Sequence, residues 1–329
     1  MRYIDFILAL AGLGELVQGR LSHGLQGTSG TEPIAHKLVA RAGRPRCSLS
    51  SVLGSKLAPD ASKRGLFDEA ALYGDEIHNG TLDASSHLWR RTMTLPPDGA
   101  TEEDMDKFMK AETADLTNTG FATQPVRGGD RSTAAFVPIT TRTRKPESAG
   151  MSGLEGCTGL LLVSRKGMYG AHYWENMAFD LDDFWKKSFE DQETAFQKVV
   201  LDLLENGDDY HKALKGEVAK DIDDDSLRAY LMIPDLGENG QPDPYRQYWN
   251  RLKARVGELV PRLDVKQDEG RNENEKRWQE IQYHPAQDDE PKQGDDARGK
   301  MLVKFDPKHN KKRKQTVWIE RKQIHDDEW

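Results

Sequence analysis

Apolar positions are unevenly spread along the chain. After a run at the N-terminus, regular patterns are sparse until the middle and frequent from there on. The densest stretch is Gly156–Asp180. Within it, Gly159–Arg165 has the apolar centre of a strand, Lys166-Gly167 reads as a tight turn, and Met168–Trp174 returns as a second strand. A helical pattern follows. Acidic residues fill a first turn from Asp180 or Asp182; Trp185, Phe189, Phe196, Val199, Val200 and Leu203 then share one face, and Gly207 stops it. Arg228–Ile233 predicts a third strand, closed by Pro234. Asp243-Pro244 is an N-cap and N1 pair, and the helix it opens sets Tyr245, Trp249, Leu252, Val256 and Leu259 on one face before Pro261. Trp278–His284, Lys300–Phe305 and Thr316–Arg321 alternate as three further strands.

The order β-β-α-β-α-β-β-β predicts an α/β (α+β) domain over 151–322. It has two layers: a mostly antiparallel sheet covered by two amphipathic helices, with a tail at 323–329. Residues 20–150 read as a long, polar, irregular region or pro-region. It is relieved by a helix at Thr101–Glu112, where Thr101 can cap and Met105, Phe108 and Met109 form a stripe, and by another at Leu66–Tyr73. Lys63-Arg64 and Arg90-Arg91 are dibasic pairs of the kind that processing proteases cut, and read more simply as solvated charge.

Composition sharpens this picture in two ways. Only 36% of residues are hydrophobic against 31% charged, too polar a mix for one large core, so irregular sequence around a single domain is expected. The net charge of −8 opposes a general attraction to nucleic acid, so no nucleic-acid partner is expected. Residues 1–19 combine Arg2, an apolar run at Phe6–Leu13 and the small residue Gly19, which predicts a signal peptide. Asp5 and Glu15 argue for a buried N-terminal helix instead. The run is too short for a stable membrane span, and no later one is longer. A secreted chain is therefore expected, with a cytoplasmic one as the alternative. Secretion would make Asn79-Gly80-Thr81 a glycosylation sequon and would allow Cys47 and Cys157, the two cysteines, to pair.

Candidate chemistry centres on Cys157 and His172. A thiol becomes a nucleophile when an imidazole takes its proton, and small neighbours let backbone N–H groups reach a developing oxyanion. Gly156 and Thr158 flank the thiol suitably. A turn at Lys166-Gly167 would set His172 opposite Leu161 and Cys157 opposite Asn176. The pair would share a sheet face about 13 Å apart, unless the chain bends at Gly156 or Gly159. Tyr169, Tyr173 and Trp174 fit either a recognition edge or the core. Asp221, Asp223 and Asp225 alternate as in a calcium loop, but Ser226 and Met232 stand where Gly and Glu are required. Zinc-ligand spacing and a phosphate loop are both missing, so no metal and no cofactor are expected. The basic run Lys308–Lys314 reads as a solvated hairpin loop able to touch an anionic partner.

A Gly-Cys opening an apolar strand, a turn and a His on the return resembles the cysteine deamidases of the cytotoxic necrotizing factor toxins and is similar to the chemoreceptor glutamine deamidases. That resemblance covers about twenty-five residues and implies Cys157 as nucleophile and His172 as base in glutamine hydrolysis, with the third polar group, which varies among those enzymes, open between Ser152 upstream and Glu175 and Asn176 just downstream. The segments GCTGLLLVSRKGMYGAHYWENMAFD, ARGKMLVKFDP and TVWIERK make the second half similar to a family of ascomycete fungal proteins, often with a signal peptide. This broader resemblance implies a fungal source and brings no established activity. Two functions are consistent with these readings. One is a secreted cysteine-dependent amidohydrolase or deamidase acting on a protein or a small amide. The other is a non-catalytic secreted interaction or effector-like protein that binds a host protein.

Overall fold

The structure is a computed structural model that describes residues 93–114, 120–122, 131–235, 243–285 and 296–329. The expected signal peptide, the helix at Leu66–Tyr73, the dibasic pairs, Cys47 and Asn79 lie outside the described residues.

Thr101 opens helix α1, Glu102–Thr113, through the capping box its sequence allows: its hydroxyl accepts from the Asp104 amide and the Asp104 carboxylate accepts from the Thr101 amide. Strands β1 (Thr133–Pro138), β2 (Glu147–Met151), β3 (Thr158–Ser164) and β4 (Gly167–Tyr173) follow. After them come a single turn, α2 (Glu175–Ala178), and an interrupted helix built of α3 (Gln192–Phe196), a π turn at Gln197–Leu201 and α4 (Asp202–Asn206). The remaining elements are α5 (Glu217–Ile222), β5 (Arg228–Pro234), α6 (Arg246–Leu259), β6 (Trp278–Tyr283), β7 (Met301–His309), β8 (Lys312–Ile319) and β9 (Lys322–Glu328).

The α+β class holds, and the strands divide between two sheets rather than forming one. A five-stranded sheet has the order β1-β4-β3-β5-β6, antiparallel except for the parallel β5–β6 pair, whose crossover contains α6. A four-stranded antiparallel sheet has the order β2-β7-β8-β9. The sheets stack because Gly159 on β3 leaves its face open. A Cβ there would lie 2.7 Å from Met151 Sδ and 2.8 Å from Met301 Sδ, both from the facing sheet. Met301, Val303 and Phe305 of β7 point into this shared core, while Leu302 points outward to meet Met105, Phe108 and Met109 of α1. On the far face of the five-stranded sheet, the Trp249 indole of α6 donates to the Thr158 hydroxyl at 3.0 Å. The layers therefore run helix, sheet, sheet, helix. Burial on both faces explains why every residue of β3 and β4 is buried.

Several boundaries differ from expectation for local reasons. The long helix starts at Gln192 rather than Asp180 or Asp182. Asp182 instead accepts the Trp185 amide at the start of a short 3-10 turn, Trp185–Lys187, and the Asp191 carboxylate then takes the Thr194 amide and begins the helix. Its face ends on Leu204 rather than Leu203, consistent with the rotation the π turn introduces. Strands β1 and β2 lie in the stretch expected to be irregular, and each joins a sheet. The stretch expected to be a tail forms β9. The Asp-rich segment is held at the surface by Arg262, which reaches both Asp223 and Asp225. Among the described residues, no helix is long and apolar enough to cross a membrane.

Candidate functional site around Cys157 and His172

The β3–β4 turn decides where His172 falls. Its two turn residues are Arg165 and Lys166, and Gly167 is already the first residue of β4, opposite Ser164. Gly167 leaves room for a neighbour: a Cβ there would come within 2.6 Å of the Phe136 ring, which would have to shift. His172 consequently faces Gly159, and not Leu161 as the assumed turn implied. The strand spacing then separates Cys157 from His172 by two positions, about 7 Å along the chain direction instead of about 13 Å.

Both residues are deep in the core. Cys157 is 0% exposed and His172 2%. Burial pulls the His172 imidazole down to about 4, against a backbone hydrogen bond at Ala122 that favours the charged form. Its ring stacks on Trp174 with centroids 5.3 Å apart. Cys157 is disulfide-bonded, and no described cysteine is free. Cys47 is the other cysteine of the sequence. A sulfur in a disulfide has no thiolate to offer, and an imidazole titrating near 4 is a weak base at neutral pH.

The expected supporting groups are also present, each with a structural partner. The Gly156 amide donates to the Tyr283 hydroxyl at 2.8 Å, and that hydroxyl donates to the Cys157 carbonyl at 2.7 Å. The Thr158 hydroxyl accepts from Trp249. The Glu175 carboxylate accepts from the Tyr245 hydroxyl at 2.9 Å, and the Asn176 amide donates to Asp182 at 3.4 Å. The backbone N–H of Gly156 and the hydroxyl of Thr158, the two groups suited to an oxyanion, are thus held by aromatic side chains from β6 and α6. Ser152 is half-buried just beyond β2. Gly156, Cys157, Thr158, His172, Glu175 and Asn176 all lie on or beside the β3–β4 hairpin and are all buried.

Sequence reasoning missed Tyr283, Tyr245 and Trp249 as partners of this cluster. Trp249 and Tyr245 stood out only as the apolar face of a helix, and their polar atoms meet residues 91 and 70 positions away. No spacing signal could have joined them. No family model, no curated protein and no solved structure matches the chain.

Proposed function

We propose that this chain is a secreted, non-catalytic interaction protein whose α+β body is stapled by a disulfide at Cys157. The observation that carries the reading is the bonded, fully buried Cys157 beside a neutral His172. Disulfides persist in oxidising compartments, which supports secretion, and the fungal origin implied by the resemblance belongs to the same proposal. Cys47 supplies the second sulfur. A cross-link spanning roughly 110 positions would stabilise the fold by about 4–5 kcal/mol on chain-entropy grounds. The amidohydrolase is the second reading, favoured by the register that brings His172 within two positions of Cys157.

Iodoacetamide labelling of the non-reduced protein from about pH 5 to about pH 9, read by peptide mass spectrometry, separates the two. The expected result is no labelling of Cys157 until the protein is reduced and unfolded, together with a linked Cys47–Cys157 peptide. Rapid labelling of Cys157 below neutral pH, slowed by His172→Ala, would overturn the proposal and instate the enzyme.

A further inference from the structure

The basic run singled out in the sequence is not isolated in the fold. Most of the run expected to be a loop is strand: Lys308 lies near the end of β7 and Lys312 begins β8, and only Asn310 and Lys311, both at positive φ, form the turn between them. A second basic segment, Arg142, Arg144 and Lys145, lies in the loop between β1 and β2. Two contacts bring this loop beside the turn. The Arg313 guanidinium donates to the Thr140 carbonyl at 2.6 Å, and the β2–β7 register sets Glu147 opposite Phe305. Continued past the strand ends, that antiparallel register carries Arg144 toward Lys308.

The charges on this rim are not balanced internally. Lys312 and Lys314 reach Glu328, and Lys314 also reaches Asp326. Asp306 is buried and accepts from the Met93 and Lys308 amides. Arg142, Arg144, Lys308 and Lys311 are exposed and make no ion pair among the described residues. Four unpaired cations thus gather on one edge of a chain whose net charge is −8.

We infer that this rim, formed by the β1–β2 loop and the β7–β8 turn, is an interaction surface for a short acidic polypeptide segment. The inference rests on the interaction-protein reading and names the chemistry of its partner. A short segment lying on the rim feels mainly the rim, because charges beyond about 8 Å are screened at physiological ionic strength. A nucleic-acid duplex would extend over the acidic remainder of the surface and be repelled there. Among the described residues, the exposed large apolar side chains are Leu95, Phe184 and Tyr210, none of them on the two rim segments, so these segments offer neither the stacking platform of a single-strand binder nor the apolar wedge of a membrane binder.

The test uses the full chain and a labelled oligoglutamate peptide, with binding read by fluorescence anisotropy at low and physiological salt. The variant combines Arg142→Ser, Arg144→Ser, Lys308→Ser and Lys311→Ser, and its thermal melt checks that the fold is retained. The expected result is salt-sensitive binding that the variant weakens about 10-fold or more, as the loss of several exposed charge pairs implies. No binding at low salt, or equal binding by the folded variant, overturns the inference. So does tighter rim-dependent binding of a DNA duplex or of phosphatidylserine vesicles. The thiol-labelling result is independent of these outcomes, so a reactive Cys157 would remove the interaction-protein reading without being mistaken for failure of the rim.

Discussion

The Tyr283 hydroxyl shows how much one polar atom can hold at the centre of this protein. It accepts from Gly156 and donates to Cys157, closing the chain immediately before β3 against β6 from more than a hundred positions away. Burial drives its pKa well above the ordinary tyrosine value, so it remains a neutral donor and acceptor at every relevant pH. Tyr283→Phe removes both bonds with little change of shape and leaves the buried Gly156 N–H without its hydroxyl acceptor. The expected cost is about 2–3 kcal/mol, read as a lower urea midpoint with an unchanged slope. At this scale the sequence showed which residues cluster and hid what they do. Gly156, Cys157, Thr158 and His172 are together because they are close in sequence across one hairpin. Their partners Tyr283, Trp249 and Tyr245 were invisible, because an apolar periodicity reports which side a residue faces and not which atom it meets.

Helix α1 is fastened to the outer face of the four-stranded sheet by three kinds of contact. Phe108 meets Trp318 edge-on at 5.2 Å, Asp106 takes two bonds from Arg321 at 2.7 and 2.9 Å, and Glu112 pairs with Lys304 at 2.6 Å. The last pair is asymmetric: the Lys304 side chain is 4% exposed and that of Glu112 is 20%. Glu112→Ala takes the carboxylate from a buried ammonium and is expected to cost about 3 kcal/mol. Lys304→Met replaces the charge with an apolar side chain and is expected to cost less than about 1 kcal/mol. Thermal melts of the two variants check the order, which reverses if the lysine head is in fact well hydrated. Helix α1 was legible because its capping residue and its apolar stripe agree. Helix α6 was legible from its stripe alone: it begins at Arg246 after Tyr245, which makes no side-chain capping bond, and not at the expected Asp243-Pro244 cap. Strands β1 and β2 were not legible. Thr133–Pro138 and Glu147–Met151 are short and built largely of small residues, and they become strands because β4 and β7 offer them backbone partners. Strand β9 is a polar edge strand, so its composition imitates a tail. The pairing into two sheets is equally silent in sequence, apart from the glycine on β3 that lets the second sheet approach.

For the molecule as a whole, two buried histidines carry the largest histidine contribution, among the described residues, to the response to acid. Burial holds both His172 and His211 near 4, and His211 lies 0% exposed on the segment that bridges to β1, with the Asp208 charge opposing the shift. Unfolded histidine titrates near 6.5, so the unfolded chain binds more protons between about pH 6.5 and about pH 4. The stability these residues contribute is present in full above that window and is lost as pH falls through it, by roughly 3 kcal/mol for each histidine. Urea unfolding at a series of pH values should show the loss, and a pH-independent midpoint from about 7 to about 4.5 would contradict it. The division into two sheets also bears on how the chain acquires its structure. Strand β2 must wait for β7, about 150 positions later, while the five-stranded sheet is specified almost entirely by the residues between them. On the ribosome, β3 to β6 can emerge and pair while β2, bridged by Phe121 at Gly150, still lacks its strand partner, and the β7-β8-β9 meander then arrives as a local unit. Joining that meander to β2 spans the largest sequence separation of the strand pairings, and this closure is a step at which synthesis is exposed to misassembly.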